Sequence, residues 1–361
     1  MRRRGAWINV KRQTRRQFVK TTASAVAGAS ALGASSCFPE VGGRWPRELD
    51  ACVAAEPLAP VSGRGRVVEV HDATSVIEEP RPAIQGEVVS SMLQEVIVAL
   101  AQGAADPWRV LLPSAEAGTR IGIKVNCLNE QCPTSVAVTR ALVDSLKQGL
   151  GLPGEQVLVW DRRTDELSKC GYTEEALGCR VYGTVTSPSD ASGPGYERDF
   201  CTVVNGKTTH LSRILTRETD ITINVPVLKT HGVSGVTAAL KNIYGVIDNP
   251  GEFHKDLNEA LPVIYGLPPV RERIQLTLLD ALIAVTVGGT SSPPDTFARR
   301  LLGAQDPLAL DLYALQLVNQ LRQEKEIVLG DIDPAVTAWL EEGHRLGLGA
   351  REIELVEIVR G

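Results

Sequence analysis

The stretch Ile221–Ile247, ITINVPVLKTHGVSGVTAALKNIYGVI, decides how the chain is read. Its first seven residues are apolar and β-branched and too few for a helix. They predict a strand, with Asn224 and Pro226 making its C-terminal end irregular. Lys229-Thr230-His231-Gly232-Val233-Ser234-Gly235 then reads as a polar loop, and Val236 to about Tyr244 as a helix. A strand feeding a helix through such a loop is where α/β proteins place ligands. The helix start offers free N–H donors, and Gly232 and Gly235 are expected to let a ligand approach the backbone. Lys241-Asn242 follow on the helix.

Upstream, Arg66–Asp72 predicts a strand and Gly86–Gln102 an amphipathic helix, with Val89, Leu93, Val96, Ile97 and Leu100 at helical spacing. Gly118–Asn126 is a second strand, with Ile121, Ile123 and Val125 on one face and Gly122, Lys124 and Asn126 on the other. A lysine among apolar strand residues belongs either to an exposed edge or to a site. Ser135–Leu150 reads as a helix and Gln156–Trp160 as a strand ending in Asp161, which is placed either to meet a ligand or to cap the next helix. Val181–Gly195 reads as a surface excursion, and Asn205-Gly206 as the turn of a hairpin. Downstream, Arg273–Leu279 predicts a strand ending in Asp280. Val287–Pro294 is a second glycine-bearing loop expected to face the first. Asp306-Pro307 opens the helix Leu308–Leu321 as an N-cap, Pro334–Leu346 is a further helix, and Ile353–Val359 is a last strand. This alternation predicts a mainly parallel sheet with helices on both faces, in one unit or two lobes. No GxxxxGK(S/T), GxSxG or HExxH pattern occurs.

The central stretch resembles the signature of domain-of-unknown-function family 362, and three other segments are similar to the same family. They are Ile121–Asn126, the block VLVWDRRTDELSKCGY at Val157–Tyr172, and Leu279-Asp280-Ala281 with Gln305–Asp311. The resemblance spans roughly residues 110–315. It implies little about activity. Some members are described as iron–sulfur proteins, but the CxxCxxCxxxC run of a ferredoxin-like module is missing here.

Residues 1–37 are expected to be a targeting segment rather than part of the fold. Thr14–Lys20, TRRQFVK, resembles the twin-arginine export signal, and the mild apolar stretch Thr21–Ala34 is too short to span a membrane. Cleavage falls either near Ala31–Ser36 or before a lipid-bearing Cys37. The twin-arginine translocase is thus an expected partner, and the periplasm or cell exterior the expected location. Residues 38–65 read as a lead-in and 66–361 as the α/β domain. Residues 1–37 hold eight Lys/Arg and no acid, so their removal leaves 30 basic against 43 acidic side chains, a net of −13. That charge argues against nucleic acid or an anionic membrane as partner.

Of seven cysteines, Cys127-x4-Cys132 is the close pair, open to a disulfide, two thiols or part of a metal or cluster site. The candidate catalytic residues are His231, Lys124 and Asp161. Asn126, Asn224, Lys229, Gly232, Gly235, Lys241 and Asn242 are the candidate cofactor-binding residues. His231 is the expected general acid/base because imidazole ordinarily titrates near neutrality. Two functions are open: a cofactor- or anion-dependent enzyme or redox protein, and a non-catalytic module that captures an anion or metal.

Overall fold

A computed structural model describes residues 9–14, 54–79, 81–327, 332 and 337–360. The first strand is β1 (Asn9–Thr14), followed by β2 (Arg64–Asp72), α1 (Gly86–Leu100), α2 (Pro107–Leu111), β3 (Ile121–Lys124) and α3 (Val136–Leu150). Then come β4 (Val157–Trp160), α4 (Thr164–Lys169), β5 (Arg180–Val181) and the hairpin β6 (Tyr196–Val204) and β7 (Lys207–Ser212). The central stretch gives β8 (Ile221–Asn224), β9 (Val227–His231), β10 (Gly235–Thr237) and α5 (Ala239–Asn242). The chain ends with α6 (Leu257–Gly266), β11 (Ile274–Val285), β12 (Arg300–Ala304), α7 (Pro307–Glu324), α8 (Trp339–Arg345) and β13 (Glu352–Arg360).

The main sheet runs β1-β13-β2-β12-β11-β8-β3-β4-β5, with β9 joined to β11 and β10. β12 is antiparallel to both its neighbours, and the remaining pairs along that row are parallel. The mixed α/β architecture with a mostly parallel sheet is therefore as the strand–helix alternation predicts. Side-chain alternation divides the core into two layers. Ile121, Ile123, Val157, Val159, Ile221 and Ile223 face α1–α3, whereas Leu158 and Trp160 join the layer formed with α5–α8. Each fully buried Ile, Val or Leu contributes about 1.5–3 kcal/mol, so strands of four residues suffice when both faces are covered.

Helix ends follow the predicted chemistry. Ser135 Oγ accepts from Val138 N at 3.4 Å, and Gly151 closes α3 with φ 68°. Asp306 caps α7 through Ala309 N at 2.9 Å and also holds Ala350 N at 2.7 Å. The hairpin turns at Asn205 and Gly206, both with positive φ, as a type I′ turn requires.

Two expectations need correction. The predicted loop after Val227 and the first residues of the predicted helix are instead a β-hairpin: Lys229 pairs with Thr237 and His231 with Gly235, β9 also pairs with β11, and the helix begins only at Ala239 as α5. The β-branched Val236 and Thr237 favour that pairing, and Gly235 supplies the positive φ of 75°. β11 runs past Asp280 to Val285, because its neighbour β9 continues in parallel beyond the break at Pro226. Asn9–Thr14, within the expected targeting segment, forms an edge strand on β13. Main-chain pairing to an open sheet edge needs no side-chain pattern, so the sequence carries no sign of it. The twin-arginine pair, Thr21–Ala34, Cys37 and Pro334 lie outside the described residues.

Candidate functional site

From β3 the chain moves outward through β4 to β5, then returns to place β8 on the other side of β3. The β3/β8 gap is thus the topological switch point of the sheet, where open α/β proteins bind ligands beyond the carboxyl ends of the strands. Lys124 and Asn224 end these two strands, and β9 and α5 bring Lys229, Lys241 and Asn242 to the same place.

Lys124 is buried, and its Nζ donates to Asp161 Oδ1 at 2.6 Å and Val125 O at 2.7 Å. Asp161 is filled in turn: Oδ1 also accepts Arg162 N at 2.7 Å, and Oδ2 accepts Cys127 N at 2.7 Å. Asp161 therefore neither caps a helix nor faces a ligand freely; it neutralises Lys124. A Cβ on Gly245 would lie 3.0 Å from Lys124 Nζ, so the pair is covered by backbone that tolerates no side chain without displacement.

The asparagines form one chain of hydrogen bonds with a single polarity. Lys229 Nζ donates to Asn126 Oδ1 at 3.1 Å, and Asn126 Nδ2 to Asn242 Oδ1 at 3.0 Å. Asn242 Nδ2 donates to Asn224 Oδ1 at 2.8 Å, and Asn224 Nδ2 to Ala239 O at 2.9 Å. Each amide orients and polarises the next. These three residues are structural connectors that fix Lys229 against α5. Burial holds the Lys229 ammonium below its ordinary range.

The start of α5 is not available to an anion from solution. The buried Asp311 of α7 takes the N–H groups of Ala239 and Leu240, the latter at 2.9 Å, and burial pushes its carboxyl up to about 7. Asp311 was missed as a positioning residue. Its signal is a carboxylate on the apolar face of LALDLYALQLV, which must find donors.

Lys241 is different. No hydrogen-bond acceptor or carboxylate holds its Nζ among the described residues; the ammonium stands 4.5 Å from the centre of the Tyr244 ring. Burial, and secondly the Lys124 charge, push it down to about 8. The buried Tyr244 hydroxyl also lacks a partner. His254 lies beside both Tyr244 and His231, with ring centres 6.3 and 5.8 Å apart.

His231 does not fit its expected role. Its Nδ1 accepts from Val233 N and Ser234 N, each at 3.1 Å, which leaves the ring hydrogen on Nε2. Burial, then the Lys241 and His254 charges, push it down to about 4, so it is a neutral donor at physiological pH rather than a near-neutral acid/base. Gly235 is likewise not a ligand approach, because a Cβ there would meet Ile332, Thr337 and Leu315. Gly232 is open, with nothing near its missing Cβ. The second glycine loop does reach the first, where Thr230 Oγ1 donates to Gly288 O at 3.4 Å, and it also meets the segment after β3, where Asn129 Nδ2 donates to Thr290 O and Ser292 O at 2.9 and 3.0 Å.

Cys127 and Cys132 are both free thiols, so the disulfide reading is corrected: Cys127 turns to Cys170, while Cys132 Sγ contacts Ile283 O at 3.8 Å. Among the described residues no group of three or more His, Cys, Asp or Glu side chains could hold a metal ion. An iron–sulfur cluster needs about four such ligands, and these residues do not fit one. No helix among the described residues is long and apolar enough to cross a membrane.

No curated protein matches the chain. A structural-genomics crystal structure of a Thermotoga maritima protein is similar at 12% identity, with a TM-score of 0.37. The match covers 67% of this chain and 59% of that one. Residues 121–316, which contain β3, the Lys124–Asp161 pair, the amide chain and Lys241, match the family described as Domain of unknown function (DUF362), and the chain belongs to that family.

Proposed function

We propose that the site at the β3/β8 switch binds a small oxyanion, a carboxylate or phosphate, and that Lys241 is the group that meets it. The observation carrying this is a half-buried ammonium without a hydrogen-bonded partner among the described residues. An ion held away from water without a partner is costly, and an anion would restore what burial removes. Its surroundings are rich in donors: the unpartnered Tyr244 hydroxyl, the Nε2–H of neutral His231 and, farther along, Lys229.

An anion-dependent enzyme is the favoured form of this proposal, because an amine titrating at about 8 can give and take a proton near neutrality. The second reading, non-catalytic capture, is favoured by the engagement of Asp161 and His231 Nδ1, which leaves neither free as a base. A redox cofactor is not part of the proposal. Export by the twin-arginine route is, on the strength of Thr14–Lys20 and the acid-free first 37 residues; its test is whether Arg15→Lys with Arg16→Lys retains a fused reporter in the cytoplasm.

The binding test is a thermal-shift series with phosphate, sulfate and small mono- and dicarboxylates. At least one should raise the melting temperature of the wild type in a saturable way and fail to do so with Lys241→Met. A response that survives Lys241→Met would refute the assignment.

A further inference from the structure

The lysine site leaves a second chemical group beside it unused. Cys127 follows β3 and Cys170 caps the C-terminal end of α4, 43 positions apart in sequence. Cys170 Sγ donates to Cys127 O at 3.6 Å, which brings the two cysteines into contact. Their exposure differs. Cys127 is buried, whereas Cys170 is partly open to solvent. Cys132 and Cys179 lie elsewhere, against Ile283 O and Arg180 O, and burial pushes each thiol up to about 11.

We propose that Cys127 and Cys170 form a redox pair that closes to an intramolecular disulfide by exchange with a small-molecule disulfide. Cys170 is the attacking group: it is reachable, and hydrogen bonding from the Cys127 thiol lowers its titration, with the Lys229 charge assisting. Its thiolate attacks one sulfur of R–S–S–R, forms the mixed Cys170–S–S–R bond and releases one R–S⁻. Cys127, kept protonated by burial, then loses its proton to solvent and attacks the Cys170 sulfur, displacing the second R–S⁻. Two cysteine thiols are oxidised and one external disulfide is reduced to two thiols. The pair adjoins the proposed anion site, because Cys127 N–H holds Asp161 and Asn126 receives Lys229.

The test uses the full chain incubated with oxidised glutathione, followed by alkylation and peptide mass mapping. A Cys127–Cys170 cross-link is expected that dithiothreitol reverses, with Cys132 and Cys179 remaining alkylatable. In Cys127→Ser, Cys170 should stop as a stable glutathione adduct, and in Cys170→Ser, Cys127 should stay unmodified. A wild-type chain that ends as a Cys170 adduct, that bridges to Cys132 or Cys179, or that stays unmodified at all four thiols would overturn the proposal. The wild-type map decides this alone if a variant fails to fold, and it is independent of anion binding.

Discussion

Two lysines at the same end of the same sheet have opposite surroundings. Lys124 is closed in: a carboxylate and a carbonyl take its hydrogens, that carboxylate is filled by backbone donors, and Gly245 covers the pair. Lys241, half-buried, has an aromatic face and no bonded acceptor among the described residues. A buried charge with every polar atom matched is scaffold; one left without its match is where a ligand would complete the structure.

The sharpest way to break this comparison is to remove the partner of the first lysine. Asp161→Ala leaves Lys124 charged and unpaired in the core and should destabilise the fold by about 3–5 kcal/mol, read as a lowered urea midpoint at constant m. Removing the second lysine should act in the opposite direction. The Lys241 amine titrates at about 8 in the fold, below its ordinary 10.5. The unfolded chain therefore holds the proton more tightly, and the fold bears the full penalty below about 8, relieved as pH rises towards 10.5. Lys241→Met should accordingly be more stable than wild type at neutral pH by about 1–3 kcal/mol, a gain that vanishes as the pH rises through that window. A loss of stability in Lys241→Met at neutral pH would mean that the ammonium is already satisfied.

A smaller effect separates scaffold from site at α5. Asp311 titrates at about 7 rather than 3.8, so its contribution is fully present below 3.8 and is lost as pH rises through about 7. The melting temperature of wild type should fall between pH 5 and pH 8 relative to Asp311→Asn, whose side chain does not titrate. Parallel pH profiles for the two proteins would show that the carboxyl is not perturbed.

Much of this arrangement was legible locally. A lysine in the strand Ile121–Val125 and the segment Lys229–Asn242 point to one end of a parallel sheet, because strand alternation and chain direction fix where they emerge. What the sequence did not disclose depends on distant partners. Asp311 meets Ala239 across 72 positions, and Cys127 meets Cys170 rather than its close neighbour Cys132. The hairpin at Val227–Thr237 was hidden for another reason. Gly232 and Gly235 suggest a ligand loop as readily as a β-turn, and pairing with β11 decides between them. The pattern Lys-Thr-His-Gly likewise does not reveal that two backbone N–H groups occupy His231 Nδ1.

The most direct measurement is the affinity of the stabilising oxyanion as a function of pH, for wild type and Lys241→Arg. If a protonated Lys241 holds the ligand, wild-type affinity should be level below about 8 and fall by about tenfold per pH unit above it. Arginine stays charged throughout, so Lys241→Arg should lose that dependence. A wild-type affinity that stays level from neutral pH to pH 10 would contradict the account, whatever the arginine variant does.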